Sequence, residues 1–215
     1  MTKVHEVAVR VVKPGSDELF TRRRAAFVAK LKSQKGVLAD CEFESFFALP
    51  ALDEQPVFVG MTTYDQLSTV NWIQMNPLVM LKFLPFFTTM SLKAYAFCEQ
   101  TEGPELDLDA LGTLDERVVH IAVRRVKAEQ VQAHDAARKA FYELLMARDG
   151  VGPHYELKAV KGFSIQGMTV AITEFANEEA MGSAFEALSE HEVFAAYTDT
   201  FETVASQFTR PTTNE

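Results

Sequence analysis

Hydrophobic and polar positions follow two different periods along this chain. Val4 to Lys13 is rich in Val with polar residues interleaved and stops at Pro14-Gly15, which predicts a strand. Phe20, Arg24, Phe27 and Leu31 then recur at offsets of 4, 7 and 11, an amphipathic helical stripe over Asp17 to Ser33 that Gly36 closes. Val37 to Phe47 and Val57 to Tyr64 read as strands around a Pro-flanked loop. Asp65 to Met75 and Leu78 to Thr89 read as helical pieces interrupted by Pro77, with a bend at Pro85, and Leu92 to Phe97 as a short last strand.

This order returns further along. EVAVRVVK (Glu6 to Lys13) matches HIAVRRVK (His120 to Lys127), and at an offset of 114 the stretch Val7 to Phe43 holds 12 identities in 37 pairs. His134, Arg138, Phe141 and Leu145 repeat the helical stripe. From Val57 to Phe97 the offset becomes 111, with 6 identities in 41 pairs that include Thr62 with Thr173, Phe83 with Phe194 and Phe97 with Phe208. Two repeats are therefore predicted, residues 1–98 and 117–210. The segment between them, 99–116, carries seven acidic and no basic residues around Gly103-Pro104 and reads as a solvated linker. Strand, helix, strand, strand, helix, strand is the split βαβ or ferredoxin-like arrangement, an α+β fold. A four-stranded sheet with helices on one face leaves the other bare, and the second repeat can cover it.

Composition narrows the partners. With 47% apolar and 24% charged residues the chain can build a core, and a net charge of -9 argues against nucleic acid or an anionic membrane, leaving small molecules. Cys41 and Cys98 have neither disulfide-framework nor CxxC spacing, which fits a reducing cytoplasm. MTKVHEV lacks the apolar core of a signal peptide, and Pro77 to Met90, the most apolar stretch, contains Lys82 and Pro85 and is too short to span. A cytoplasmic protein is expected, as a monomer or a homodimer.

VVKPGSDELF, KGVLADCEF, VFVGMTTY and, in the second repeat, ITEFANEEAMGSAFEALSEHEVFAAY resemble the antibiotic biosynthesis monooxygenase family of the dimeric α+β barrel superfamily, over about 190 residues. The resemblance implies two sheets closed into one barrel. Family members pair two chains to do this, so a tandem copy implies a chain that closes its own. It also implies chemistry without NAD or flavin, in which an electron-rich phenolic substrate loses a proton and reacts directly with dioxygen. The family's Asn and Trp point to Asn71 and Trp72, whose repeat partners are Gly182 and Ser183. The family's other chemistry is haem breakdown with an axial His four residues after a helix Phe; here those positions are Phe87 and Thr198, leaving His191 as a substitute.

Period-2 alternation sorts the strand residues into two faces. The apolar set Val7, Val9 and Val11 is expected under the helices, and the polar set in a cavity between the sheets. Arg10, Arg124, Glu42 and His120 are the catalytic candidates there; Thr62, Tyr64, His154, Glu156 and Thr173 are the substrate-binding ones, joined by Trp72 on the strength of the resemblance. The arginines and glutamates either neutralise one another, as buried charges require, or leave one Arg to hold an anionic ligand oxygen. His120 either rests in the interior or acts as a base, with Glu42 as the other proton acceptor. His5 is expected exposed, His134 packed, and His154 at the cavity mouth. No metal-ligand spacing, nucleophile elbow, phosphate loop or dinucleotide motif occurs, so neither metal nor cofactor is expected.

Three functions remain open: a cofactor-independent monooxygenase-like enzyme for a small aromatic or polyketide-like molecule, a non-catalytic ligand-binding or stress-response barrel, and an interaction module built on LVMLKFLPFF.

Overall fold

A computed structural model of the chain describes residues 2–51, 53–113 and 116–212. Its elements are β1 (Val4–Val12), α1 (Asp17–Lys32), β2 (Val37–Leu49), β3 (Val57–Tyr64), α2 (Leu67–Met75), α3 (Pro77–Phe87), β4 (Met90–Glu102), α4 (Leu108–Leu111), β5 (Val118–Val126), α5 (Val131–Met146), β6 (Val151–Gly162), β7 (Met168–Phe175), α6 (Glu178–Ser189), α7 (Glu192–Thr198) and β8 (Phe201–Pro211). The predicted order is present in both halves. Local chemistry explains the boundaries: Asp17 and Glu18 open α1 and Lys30 and Lys32 close it, matching the helix dipole, while the Asn76 side chain accepts the Leu78 amide with Pro77 as the first residue of α3. Pro85 sits inside α3, which continues to Phe87.

The eight strands close in the order β1-β3-β2-β8-β5-β7-β6-β4, each pairing antiparallel with its neighbours. Each half contributes four adjacent strands, and β2 with β8 and β4 with β6 seam the halves together. Closure removes the exposed sheet edges that a single half would leave. The fold is the dimeric α+β barrel completed within one chain.

The expected faces are reversed. Val7, Val9, Cys41, Phe43, Met61, Ile121, Leu157, Val170 and Ile172 fill the barrel interior, in one cluster drawn from both halves. The polar set instead faces outward, beneath α1 to α3 in one half and α5 to α7 in the other, where separate aromatic-rich cores form. The physical reason is space. An eight-stranded barrel is just wide enough for side chains to fill, and branched apolar residues fill it without unpaired charge. Arg10, Arg124 and their partners need the helix side, where Arg24 and aromatic rings are supplied.

The acidic segment also differs from a plain linker. Glu99 to Glu102 extend β4 along β6, and Leu106, Leu108 and Leu111 are 2% exposed in the barrel core. Asp107 caps α4 through the Asp109 and Ala110 amides. The acidic side chains face water while the leucines between them close the barrel. Leu114 and Asp115, at the end of this segment, lie outside the described residues.

Candidate functional site

In the first half β1, β2 and α1 bring four charged side chains together, with Thr62 of β3 beside them. Arg10 donates to Glu42 at 2.7 Å, Arg24 of α1 pairs with Glu42 and lies 3.3 Å from Asp40, and Thr62 donates to Asp40 at 2.9 Å. The Arg10 guanidinium lies over Phe86 at 5.3 Å and flat against Gly60, where any Cβ would meet it at 2.3 Å. Glycine at that point is thus required by close approach rather than by backbone conformation. Glu42, expected as a proton acceptor, is 2% exposed, is held between two guanidiniums as their counter-charge and lines neither of the two helix-covered cavities.

The second half repeats the pair with a different surround. Nη2 of Arg124 donates to both carboxylate oxygens of Glu156, at 2.9 and 2.7 Å. His154 stands where Asp40 stands in the first half; it bonds Thr173 at 2.9 Å and Glu156 at 3.2 Å and stacks on Tyr142 at 3.5 Å between ring centres. Burial would raise the Glu156 carboxyl, but Arg124 and the His154 bond outweigh it and hold the group at about 2. Both Arg–Glu pairs therefore form, as mutual neutralisation requires. Arg138, the counterpart of Arg24, turns away to Glu102 and Asp135.

Arg124 keeps donors beyond those that Glu156 engages. Its Nε and Nη1 find no hydrogen-bond acceptor, nor does the Tyr197 hydroxyl, although the residue Arg124 is only 1% exposed. The Tyr142 phenol acts on the guanidinium both electrostatically and as a hydrogen-bonding neighbour, and the Tyr197 and Phe201 rings each stand 5.6 Å from it. Arg124 and Tyr197 both line a cavity of about 510 Å³ between the outer sheet face and α5 to α7. Its other walls include Phe141, Tyr142, Phe185 and Phe194, and Leu49 and Pro50 of the first half close one side because β2 pairs with β8 at Leu49 and Ser206. Each unsatisfied buried donor costs on the order of 1–3 kcal/mol, which a ligand oxygen would recover.

His120 lines the same cavity. Its Nε2 shares a 2.9 Å hydrogen bond with Ser206, and its ring stacks on Phe208 at 4.2 Å. Burial, reinforced by the nearby Arg124 charge, lowers its pKa to about 3. A group neutral when folded but ordinary at 6.5 when unfolded removes stability as pH falls below 6.5, since the unfolded chain then binds the extra proton. Nitrogen-15 spectra of the histidines should accordingly show His120 unprotonated throughout pH 7 to 5; a midpoint near 6.5 would refute its burial beside Arg124.

Other expected residues fall elsewhere. Trp72 is 53% exposed on α2 and lines neither cavity, and Asn71 accepts from Lys161 at the surface, because this face of α2 turns from the sheet. His5 is 2% exposed rather than solvated, bonded to Thr63, since β1 starts inside the sheet. His134 packs against Thr200 and Tyr197. His154, expected at the mouth of a cavity between the sheets, lies on the helix side instead, stacked on Tyr142, and does not line the large cavity there. Tyr64 lines a smaller cavity in the first half and donates to Glu6 at 2.5 Å. Glu6, Tyr95 and Gln74 there, and Ser206, Tyr142 and Tyr197 in the second half, were not singled out from sequence. Alternation carried into β4 and β8 places Tyr95 and Ser206 on the face of Glu6 and His120.

His191 accepts the Val193 amide as the cap of α7, and the only imidazole lining the large cavity, His120, has Nε2 engaged by Ser206. With Phe87 and Thr198 at the other two positions, these donors do not fit an axial haem ligand. Among the described residues no three metal-ligating side chains cluster, and no helix is long and apolar enough to cross a membrane.

No family model matches the chain, and no curated protein matches its sequence. Solved structures do match its shape. A candidate monooxygenase from Fusobacterium nucleatum aligns at a TM-score of 0.63 and 12% identity over 98% of this chain and 94% of that one. A candidate chlorite dismutase aligns at 0.65 and 9% over 99% and 96%, and an anthrone oxidase-like protein at 0.63 and 9% over 99% and 93%. At these identities the likeness establishes the fold alone.

Proposed function

We propose that the cavity of the second half binds a small aromatic or polyketide-like molecule through an acidic phenolic or enolic oxygen, and that the protein is a cofactor-independent monooxygenase-like enzyme acting on it. The observation that carries this reading is the set of three buried donors without acceptors, Arg124 Nε and Nη1 and Tyr197 Oη, on residues lining one aromatic-walled cavity. Arg124, its charge neutralised on one side by Glu156, orients the oxygen with its remaining donors. His120, backed by Ser206, takes the proton, and the guanidinium stabilises the resulting anion. In the monooxygenase step the electron-rich anion reacts with dioxygen at an activated CH2 group. That carbon loses two hydrogens, one oxygen atom becomes its carbonyl oxygen and the other leaves as water, so the substrate supplies all four electrons that reduce dioxygen and no external reductant enters. The neighbours described as a monooxygenase candidate and an anthrone oxidase-like protein support this class of chemistry.

The two-repeat organisation, residues 1–98 and 117–210 joined by 99–116, belongs to the same proposal. Its support is the Arg–Glu pair formed at equivalent positions in each half. A second reading, ligand binding without turnover, draws support from the low pKa of His120, which makes it a weak base. Oxygen uptake with an anthrone-type phenol separates the two. Wild-type protein should consume one dioxygen per quinone formed, and His120→Gln should lower the rate at least ~10-fold, the lower end of general-base contributions being about 100-fold. Binding with no uptake above heat-denatured protein would leave the carrier reading and reject the enzyme.

A further inference from the structure

The first half contains a cavity of its own, and its polar head is of opposite sign. It measures about 260 Å³ between the sheet and α1 to α3, and its walls are apolar, among them Phe27, Leu31, Val79, Phe83 and Phe87. Phe163 from the other half closes it, as Leu49 and Pro50 close the larger one. Glu6 lines it at the position that His120 holds in the second half, with Tyr64 in place of Phe175, Tyr95 in place of Ser206 and Gln74 in place of Phe185.

Glu6 is 7% exposed, and among the described residues no Lys, Arg or His forms an ion pair with it. Arg10 acts on Glu6 electrostatically, but its ion pair is with Glu42 rather than Glu6. Tyr64 donates to Glu6 at 2.5 Å, and the Tyr95 phenol, itself bonded by Gln74, reaches it as well. Burial raises the pKa of this carboxyl, with the Tyr64 bond and the Arg10 charge opposing it. None of the cavity's lining residues is basic.

We propose that this cavity is a second ligand site, for a small apolar amine whose ammonium group pairs with Glu6 between Tyr64 and Tyr95 while its hydrocarbon lies among Phe27, Leu31, Val79, Phe83 and Phe87. The ammonium supplies the charge that the carboxylate lacks, and the surrounding aromatic rings favour a cation over a neutral head. The volume sits just under the range of about 300–1,000 Å³ for drug-sized ligands, so the amine is small, of the size of 2-phenylethylamine. The site stands independently of the reading given to the second half.

Isothermal titration calorimetry of the full chain at neutral pH tests this with 2-phenylethylamine and 2-phenylethanol, which share a ring and differ in head charge. The amine should bind at least 10-fold more tightly than the alcohol, and Glu6→Gln, which keeps the acceptor for Tyr64, should reduce amine affinity at least 10-fold. Equal affinity for amine and alcohol, no amine binding, or unchanged amine affinity in Glu6→Gln would each overturn the proposal. Should Glu6→Gln not fold, the wild-type preference for amine over alcohol decides.

Discussion

Arg124→Met is expected to destabilise the protein by about 3–5 kcal/mol, because it strips the buried Glu156 carboxylate of its guanidinium. Glu156 is 4% exposed, and its remaining partner, His154, is itself pushed by burial toward the neutral form. The double variant Arg124→Met/Glu156→Gln removes the stranded charge and should recover most of the loss in urea unfolding, while still failing to bind an acidic ligand. The pair also sets an acid limit. A carboxyl held at about 2 when folded, against 4.5 ordinarily, contributes stability that is complete above 4.5 and is lost as pH falls toward 2. The double variant should lack that component of acid unfolding. A single variant as stable as wild type would mean that Arg124 and Glu156 are not paired in the interior.

Leu108→Ala is expected to cost about 2–5 kcal/mol, the usual range for emptying a packed leucine site. Its side chain is 2% exposed within the barrel cluster, together with Leu106 and Leu111. Glu105→Gln, three residues earlier, removes only an exposed, solvent-screened ion pair with Lys3 and should leave the urea midpoint unchanged. The contrast, read from urea midpoints, distinguishes a segment that closes the barrel from a connector that merely spans its halves. Equal, negligible effects would return the acidic segment to the role of linker.

Both surprises in the fold have physical causes visible in hindsight along the chain. Alternation separates the two faces of a strand, and it did so correctly for Val7 and Val9 against Glu6 and Arg10. It cannot say which face is the barrel interior when helices bury the other one. The missing signal lay in a helix: Arg24 interrupts an otherwise apolar stripe, and a buried Arg there demands acidic partners on the sheet face beneath it, which Asp40 and Glu42 supply. In the acidic segment, charge masked the alternation of Leu106 and Leu108 with Asp107 and Asp109. Element order and closure, by contrast, follow from periodicity and from the need to cover two bare sheet faces. The site was legible only in part. Arg124, His120 and Glu156 stand out on β5 and β6, whereas Tyr142 and Tyr197 reach the cavity from helix positions that period alone assigns to packing.

The division into two unlike cavities has a consequence for tandem architecture. Each is roofed by helices of its own half and closed by residues of the other, Phe163 over the first and Leu49 with Pro50 over the second. Within one chain the two can diverge, one around Arg124 and the other around Glu6, which a barrel made from two identical chains could not do.

The most direct test of the Arg124 site is the absorption spectrum of a bound chromophoric phenol such as 4-nitrophenol, recorded at a pH below its own pKa in water. Bound beside Arg124 it should show the long-wavelength band of the phenolate, with the band and the binding both lost in Arg124→Met/Glu156→Gln. A bound phenol that keeps its neutral spectrum, or binds the double variant equally well, would contradict the assignment of Arg124 as the group that holds an anionic oxygen.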